Sequence, residues 1–311
     1  MLCELAQHFP PFVESFLERG GKLRRRFREE SVTDLLMNGL LALGAGRVIV
    51  EFPDEPVTGA DMEWNFVNPD DNTFFRVLLQ AKQAYGQGKF WKRHTYKHLL
   101  DTSGSSTTLQ AVQLCHTART GGACYPLYIF YNPARTCMMA RRDGVFRVAG
   151  VSLADGYQIE KLTLASTTRK LRTRNKSIGR IERLLFPLST LFCPPTILPL
   201  GPMAFAPPAF ALPVYLGQGA DGLVLGRQIP PTPDMVRERL VNMRPRHVGS
   251  RVPDLPEVPK VADRIPAEVR RTMELSGRTA HETEGLRHWR VTFVSESQPD
   301  FEAELRRMRR E

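Results

Sequence analysis

The chain has 311 residues, of which 42% are hydrophobic and 24% are charged, and this composition excludes a wholly disordered protein. No apolar run reaches the roughly 18 residues that a membrane-spanning helix needs, and no secretory signal is recognisable at the N-terminus. The net charge of +10 favours a polyanionic partner, because lysine and arginine gain affinity by displacing counterions from phosphates. We therefore predict a cytoplasmic protein that binds nucleic acid and no membrane, with a merely solvated basic surface as the alternative.

Two amphipathic segments open the chain, and a short strand follows them. The first segment covers residues 5–17 and is interrupted by Pro10-Pro11. The second carries apolar residues at helical spacing from Leu23 to Leu40. Residues 47–52 form a β-rich run that Pro53 closes.

A β-hairpin comes next. Residues 61–67 alternate polar and apolar side chains, residues 68–72 have strong turn chemistry, and residues 74–84 resume as a strand. If Val67 pairs with Phe74, Asp61 lies opposite Gln80. A slip of one residue would turn every side chain to the other face, so this register is a specific and testable prediction.

The rest of the first domain is predicted as a basic helix (91–100), a loop (102–108), a helix (109–118) and a strand (125–132) buried on both faces. This order predicts an α/β fold in which helices flank a mixed sheet. We expect the domain to span residues 1–193, with a Pro/Gly-rich linker at 194–232 and an Arg-rich C-terminal appendage at 233–311. Within the appendage, residues 233–243 and 266–275 are predicted helices and residues 289–294 a strand.

The hairpin is also a candidate site for phosphodiester hydrolysis. Asp61 and Glu63 share a face of the first strand, and Gln80 and Lys82 share the facing side of the second. Asp61, the Gln80 side chain and the Ala81 carbonyl offer the oxygen ligands that Mg²⁺ or Mn²⁺ prefers. Lys82 would orient the attacking water or stabilise the charge that develops on the phosphate, and Glu63 would support the site.

These residues carry a family resemblance. Residues 59–64 (Gly-Ala-Asp-Met-Glu-Trp), followed by residues 77–82 (Val-Leu-Leu-Gln-Ala-Lys), resemble the restriction-endonuclease-like PD-(D/E)XK nuclease superfamily. The match is to the Q-x-K variants found in Mrr-like enzymes and in bacterial anti-phage effectors, and it is close to a bacterial family of unknown function. The resemblance implies a restriction-endonuclease-like fold over residues 20–135 and a glutamate from an upstream helix that completes the metal site. We assign that role to Glu30.

Two basic segments are candidate nucleic-acid contacts. Residues 89–98 mix cations with aromatic side chains, of which Trp91 or Tyr96 could stack on a base. Residues 161–183 are the densest basic run. The predicted contact residues are Lys89, Trp91, Lys92, Arg93, Lys97, Arg169, Lys170, Arg172 and Arg174. The alternatives are aromatic residues that pack the first segment onto the sheet and a solvated loop in the second. His94 and His98 lack a third metal ligand nearby, so we predict surface histidines.

The five cysteines are an odd number without a CxxC pair, which argues against a disulfide framework and a structural zinc site. We predict reduced, partly buried thiols at Cys3, Cys115, Cys124, Cys137 and Cys193.

The function that follows from these features is a Mg²⁺- or Mn²⁺-dependent nuclease that acts on DNA, with bacterial anti-phage defence as its setting and an RNA-processing enzyme as a weaker option. The alternative is a catalytically degenerate module on the same fold that binds nucleic acid or another protein. A homo-oligomer is compatible with the sequence.

Overall fold

The computed structural model describes residues 2–21, 27–43, 47–53, 61–86, 88–102, 107–193, 230–244, 255–274, 280–283, 286 and 288–295. Its helices are α1 (Leu2–Gly20), α2 (Glu29–Ala42), α3 (Gln110–Thr120), α4 (Ala134–Arg142), α5 (Gly156–Leu164), α6 (Arg169–Asn175), α7 (Ile178–Ile181), α8 (Ser189–Phe192), α9 (Pro233–Met243) and α10 (Ala267–Glu274). Its strands are β1 (Val48–Pro53), β2 (Met62–Asn68), β3 (Thr73–Tyr85), β4 (Thr95–Tyr96), β5 (Cys124–Tyr131), β6 (Val151–Asp155), β7 (Leu185–Pro187), β8 (Ala280–Thr283) and β9 (Trp289–Val294).

The strands form one open, mixed sheet in the order β7-β6-β5-β3-β2-β9-β1-β8, and β4 adds to β3. The pairs β3–β5, β2–β9 and β1–β8 are parallel, whereas the other pairs are antiparallel. Helices flank the sheet, so the predicted α/β class is confirmed. No helix in the described part of the chain is long and apolar enough to cross a membrane.

Two main apolar clusters cover the two faces of the sheet. Alternation along β3 sends Val77 and Leu79 into the first cluster and Leu78 into the second. Helices α1, α2, α8 and α9 supply side chains to the first cluster. Helices α3, α5 and α7 supply side chains to the second, together with residues 91–99. The 91–99 segment therefore lies on the opposite face of the sheet from α9.

The predicted hairpin register is confirmed. Val67 pairs with Phe74 and Met62 with Leu79, as the turn chemistry of residues 68–72 required. Asn72 within this turn adopts a positive φ of 53°, a conformation that asparagine tolerates better than most residues. Gln80 and Lys82 therefore lie on β3 in the register that was predicted relative to β2.

Two local predictions are wrong. Residues 91–100 form a 3₁₀ turn at Trp91–Arg93, the short strand β4 and a further turn, because Trp91, His94 and Tyr96 are all buried against neighbouring elements instead of following one helical face. Helix α1 runs through Pro10-Pro11 without a break. Phe9 and Val13 are fully buried on either side of the prolines, and this packing outweighs the hydrogen bonds that the prolines remove.

The strand predicted at Trp289 is confirmed, but it is not peripheral. Strand β9 lies between β1 and β2, antiparallel to the first and parallel to the second. Helix α9 packs on β2 and β3, with Val236 and Leu240 in the first apolar cluster. The C-terminal region therefore completes the sheet of the N-terminal region, and a boundary at residue 193 does not separate two cores. Most of the predicted linker, residues 194–229, lies outside the described residues.

The prediction of five reduced cysteines is wrong for two of them. Cys3 at the start of α1 and Cys193 after α8 form a disulfide across 190 residues, whereas Cys115, Cys124 and Cys137 are free and buried. An odd cysteine count does not exclude one disulfide between distant residues that packing brings together. Here α1 and α8 both pack into the first apolar cluster, which places the two thiols side by side.

Candidate active site

Asp61 lies just before β2, and its side chain reaches across to β3. Its Oδ2 accepts hydrogen bonds from Gln80 Nε2 and from the Ala81 backbone N–H, each at 2.6 Å. The Asp61 backbone N–H donates to the Leu79 carbonyl at 2.9 Å. Three consecutive residues of β3 therefore hold this aspartate in place. The structure brings Asp61 beside Gln80 as the sequence predicted, but Ala81 contacts Asp61 through its backbone N–H, not through the carbonyl that was predicted as a metal ligand.

Lys82 is the next polar residue of β3, and it is almost completely buried, with 2% of its side chain exposed. Its Nζ lies 3.6 Å from Oε1 of Glu29, the first residue of α2. The other carboxylate oxygen of Glu29, Oε2, accepts the Gln83 backbone N–H at 3.3 Å. Helix α2 therefore brings a carboxylate to β3 beside Lys82, as the family resemblance implies.

That carboxylate belongs to Glu29, whereas the sequence assigned the role to the neighbouring Glu30, which is exposed. Residues four apart on a helix share a face, and Thr33 follows Glu29 by four. Thr33 is buried and hydrogen-bonded to the Tyr131 hydroxyl of β5 at 3.1 Å, so the face that carries Glu29 is turned to the sheet. The signal was present in the sequence, because Glu29 extends the buried series of Thr33, Leu36 and Leu40 by one turn.

Two carboxyl groups therefore share a poorly solvated site with one ammonium group. Burial raises the pKa of Asp61 to about 6, against the opposing effect of Lys82, and Glu29 raises it further. Burial also raises the pKa of Glu29, and Lys82 again opposes the shift. One lysine does not fully offset two carboxylates out of water, so an additional cation would stabilise their ionised forms.

Unpartnered polar atoms show whether this site suits a metal ion. Gln80 Oε1 and the Tyr128 hydroxyl are buried without a hydrogen-bond partner, and Tyr128 pairs with Gln80 across β5 and β3. Buried polar atoms in native proteins normally have a partner, often water or an ion. Oxygen donors from Asp61, Glu29 and Gln80 suit a hard cation such as Mg²⁺. Against this, the described residues contain no group of three or more His, Cys, Asp or Glu residues that could hold a metal.

Glu63 belongs to a different cluster on the same face. Its carboxylate accepts hydrogen bonds from Asn65 and from Arg290 Nε, both at 2.9 Å, and contacts His288 Nε2 at 3.1 Å. Burial alone would raise the pKa of Glu63, but the hydrogen bond with His288 and the charges of Arg76 and Arg290 hold it well below its usual range. Among the contacts of the described residues, none joins Glu63 to Asp61 or Lys82, so its role is to tie β9 to β2.

The predicted nucleic-acid contacts divide into exposed cations and one buried aromatic residue. The lysines and arginines are all exposed: Lys89, Lys92, Arg93, Lys97, Arg169, Lys170, Arg172 and Arg174. Trp91 is 3% exposed, and its indole N–H donates to Asp143 Oδ2 at 2.8 Å. Tyr96 is fully buried and donates to Asn132 Oδ1. Neither aromatic ring presents a face to a base, and the packing alternative is confirmed for both.

One of the two histidines differs from the surface prediction. His94 is buried, with Nδ1 at 2.8 Å from Thr136 Oγ1 and Nε2 at 3.0 Å from the Gly88 carbonyl oxygen. It fastens the turn that follows β3, which is a structural role. His98 is partly exposed, as predicted, and Nδ1 pairs with Asp101 Oδ2 at 2.7 Å.

The electrostatics of Asp61 predict a stability effect. A carboxyl group whose pKa is raised by folding stabilises the fold in its protonated form; this contribution is complete below the ordinary value of 3.8 and is lost as pH rises through about 6. We expect Asp61→Asn to raise the free energy of unfolding by about 1–3 kcal/mol near pH 8 in EDTA and to change it little near pH 4. Urea unfolding at both pH values checks this. If the variant is equally or less stable near pH 8, the ionised Asp61 carboxylate does not destabilise the folded protein.

Comparison with known proteins places the chain in a family. Residues 2–300 match a family described as a family of unknown function (DUF6615). The match covers nearly the whole chain, so the protein belongs to this family. No curated protein and no solved structure matches the chain.

Proposed function

We propose that this member of the DUF6615 family is a metal-dependent nuclease whose active site consists of Glu29, Asp61, Gln80 and Lys82. The observation that carries the proposal is the convergence of two carboxylates with raised pKa, a buried lysine and an unpartnered amide oxygen at one place on β3. Glu29 replaces Glu30 in the predicted set. The order of α2, the β2–β3 hairpin, α3 and β5 supports it too, because it matches the order that the PD-(D/E)XK resemblance implies.

Each side chain has a part that its surroundings support. Asp61, Glu29, Gln80 Oε1 and the Ala81 carbonyl would hold Mg²⁺ or Mn²⁺, and a bound ion supplies Lewis-acid polarisation of the phosphoryl group. The β3 backbone fixes Asp61 through the Ala81 N–H, which limits the reorganisation that binding requires. Gln80 Nε2 donates to Asp61, and this hydrogen bond turns the Gln80 Oε1 atom away from the Asp61 carboxylate.

Lys82 would stabilise the charge that develops on the phosphate during the chemical step. Hydrolysis adds the hydroxyl of water to phosphorus and leaves its proton on the departing sugar oxygen, and negative charge grows on the phosphate during attack. An ammonium group in a water-poor site stabilises such charge better than one in bulk water. Burial of Lys82 beside Glu29 provides that environment and fixes the direction of the ammonium group.

The alternative is a degenerate module that binds nucleic acid without cleaving it. The neutral amide of Gln80, where a carboxylate is usual, favours this alternative. It predicts salt-sensitive binding to DNA and no dependence on a divalent ion.

A matched pair of variants tests the proposal in a supercoiled-plasmid assay with Mg²⁺ or Mn²⁺. Glu29→Gln and Glu30→Gln make the same change at adjacent residues of α2, one beside Lys82 and one exposed. We expect Glu29→Gln to lower the cleavage rate by about 10²-fold or more, as for loss of a group that acts on transition-state charge, and Glu30→Gln to change it by less than about threefold. Equal effects of the two variants would remove Glu29 from the site, and an inactive wild type would favour the degenerate module.

A further inference from the structure

Two basic segments that are distant in sequence form one surface. The Tyr96 N–H donates to the Lys176 carbonyl at 2.9 Å, the Ile178 N–H donates to the His94 carbonyl at 2.8 Å, and Lys176 Nζ donates to the Lys97 carbonyl at 3.1 Å. These bonds join residues 88–98 to residues 169–180. We call the result the basic surface; its exposed cations are Lys89, Lys92, Arg93, Lys97, Arg169, Lys170, Arg172, Arg174 and Arg180. No described carboxylate forms an ion pair with these nine side chains.

The basic surface is attached directly to the catalytic strand. Strand β4, which lies within it, pairs with Ala84 and Tyr85 of β3. Ala84 follows Lys82 by two residues, a distance of about 7 Å along a strand. A phosphate backbone that follows the basic surface is therefore led toward the end of β3 that carries the proposed active site.

One large apolar side chain stands among these cations. Phe90 is 65% exposed, and it lies between Lys89 and the exposed Lys92 and Arg93. The guanidinium group of Arg93 lies 5.2 Å from the centre of the Phe90 ring. A single exposed apolar residue is ordinary on a protein surface, so exposure alone does not identify a site. The ring is distinguished by the cations around it and by the rigid turn that presents it.

That turn is fixed on both sides of Phe90. The Arg93 N–H donates to the Phe90 carbonyl at 3.0 Å, and the neighbouring Trp91 is buried and held by Asp143. His94 is held by Thr136 and the Gly88 carbonyl. Trp91 therefore anchors this turn in the apolar core, and the Phe90 ring is left at the surface, where only the Arg93 guanidinium is recorded over it among the described residues.

We propose that the basic surface binds single-stranded nucleic acid, with the Phe90 ring stacked on an unpaired base and the surrounding cations on the phosphates. An exposed ring flanked by cations is the recurrent feature of proteins that bind single strands, because every base offers a face for stacking. A duplex offers its phosphates to the same cations, but its bases are stacked on each other and leave no face for Phe90. The consequence for the substrate depends on the proposed nuclease function: the preferred substrate is a nucleic acid with an unpaired stretch beside the cleaved bond.

Binding measured in EDTA, where no cleavage occurs, tests this separately from the nuclease proposal. Fluorescence anisotropy with the intact protein compares labelled oligo-dT, oligo-U and a duplex DNA hairpin. We expect Phe90→Ala to weaken oligo-dT binding about tenfold and duplex binding by less than about twofold, and Phe90→Trp to restore the wild-type affinity. The oligo-U arm distinguishes DNA from RNA as the preferred strand.

The control variant is Met235→Ala, which truncates a 40% exposed apolar residue on α9, a helix that packs on the opposite face of the sheet. It should leave all three affinities unchanged. If Phe90→Ala weakens the single strand and the duplex equally, or weakens neither, Phe90 does not stack on a base and the proposal is wrong. Selective loss for the single strand would support it even if the protein cleaves nothing.

Discussion

Replacement of Lys82 by methionine is expected to lower the rate of Mg²⁺-dependent plasmid cleavage by at least about 10²-fold, without unfolding the protein. Methionine is the informative choice because the lysine stem is buried, and an alanine would leave a cavity as well as remove the charge. The Lys82 ammonium group lowers the pKa of both Asp61 and Glu29. Its loss therefore affects both carboxylates and the phosphate charge at once.

The Lys82→Met variant needs two companion measurements. Thermal unfolding establishes that the variant is folded, and Lys260→Met provides the same substitution at an exposed lysine. Because Lys82 lowers the pKa of Asp61 and Glu29, its replacement should also move the pH dependence of stability to higher pH. A folded Lys82→Met variant that cleaves at the wild-type rate would remove Lys82 from the mechanism.

The second large effect is structural. Glu63→Ala is expected to lower the free energy of unfolding by about 3–5 kcal/mol, because it removes the buried carboxylate that binds both Arg290 and His288. Arg290 keeps a longer contact with Glu51, at 3.5 Å. Since the pKa of Glu63 is lowered in the folded protein, its contribution is present above the ordinary value of 4.5 and is lost as pH falls through the lowered pKa. Urea unfolding near pH 8 measures the full effect.

Glu268→Ala is the matched control for Glu63. Glu268 also pairs with Arg76, at 3.2 Å, but half of its side chain is exposed, so its removal should change the free energy of unfolding by less than about 1 kcal/mol. The folded fraction of Glu63→Ala should keep its cleavage rate. If instead it remains as stable as the wild type and loses cleavage, Glu63 would be a catalytic residue, as the sequence first indicated.

The sequence was most informative where local chemistry decides the structure. Turn residues 68–72 and the alternation of β2 and β3 were sufficient for the register that places Asp61 beside Gln80. Helix α9 and strand β9 were predicted with their observed limits, because each is a short run of one clear pattern. The choice of Glu30 over Glu29 was an error of helical phase, which the buried positions of α2 would have corrected.

Long-range contacts decided what the sequence did not reveal. Nothing local to residues 289–294 indicates that β9 enters between β1 and β2, where Arg290 reaches Glu63. The Cys3–Cys193 pair depends on the packing of α1 against α8. Residues 91–100 have the composition of a basic helix, but Tyr96 finds a backbone partner at Lys176, and this distant pairing replaces the helical one. Propensity is a weak guide where tertiary partners of this kind are available.

The measurement that tests the central claim most directly is supercoiled-plasmid cleavage by the wild-type protein and by Asp61→Asn, in Mg²⁺ and in EDTA. We expect the wild type to cleave in Mg²⁺ and not in EDTA, because the proposed chemistry needs the bound ion. Asp61→Asn should be folded and inactive in both conditions. Cleavage that persists in EDTA, or an Asp61→Asn variant as active as the wild type, would contradict a metal-dependent active site at Asp61.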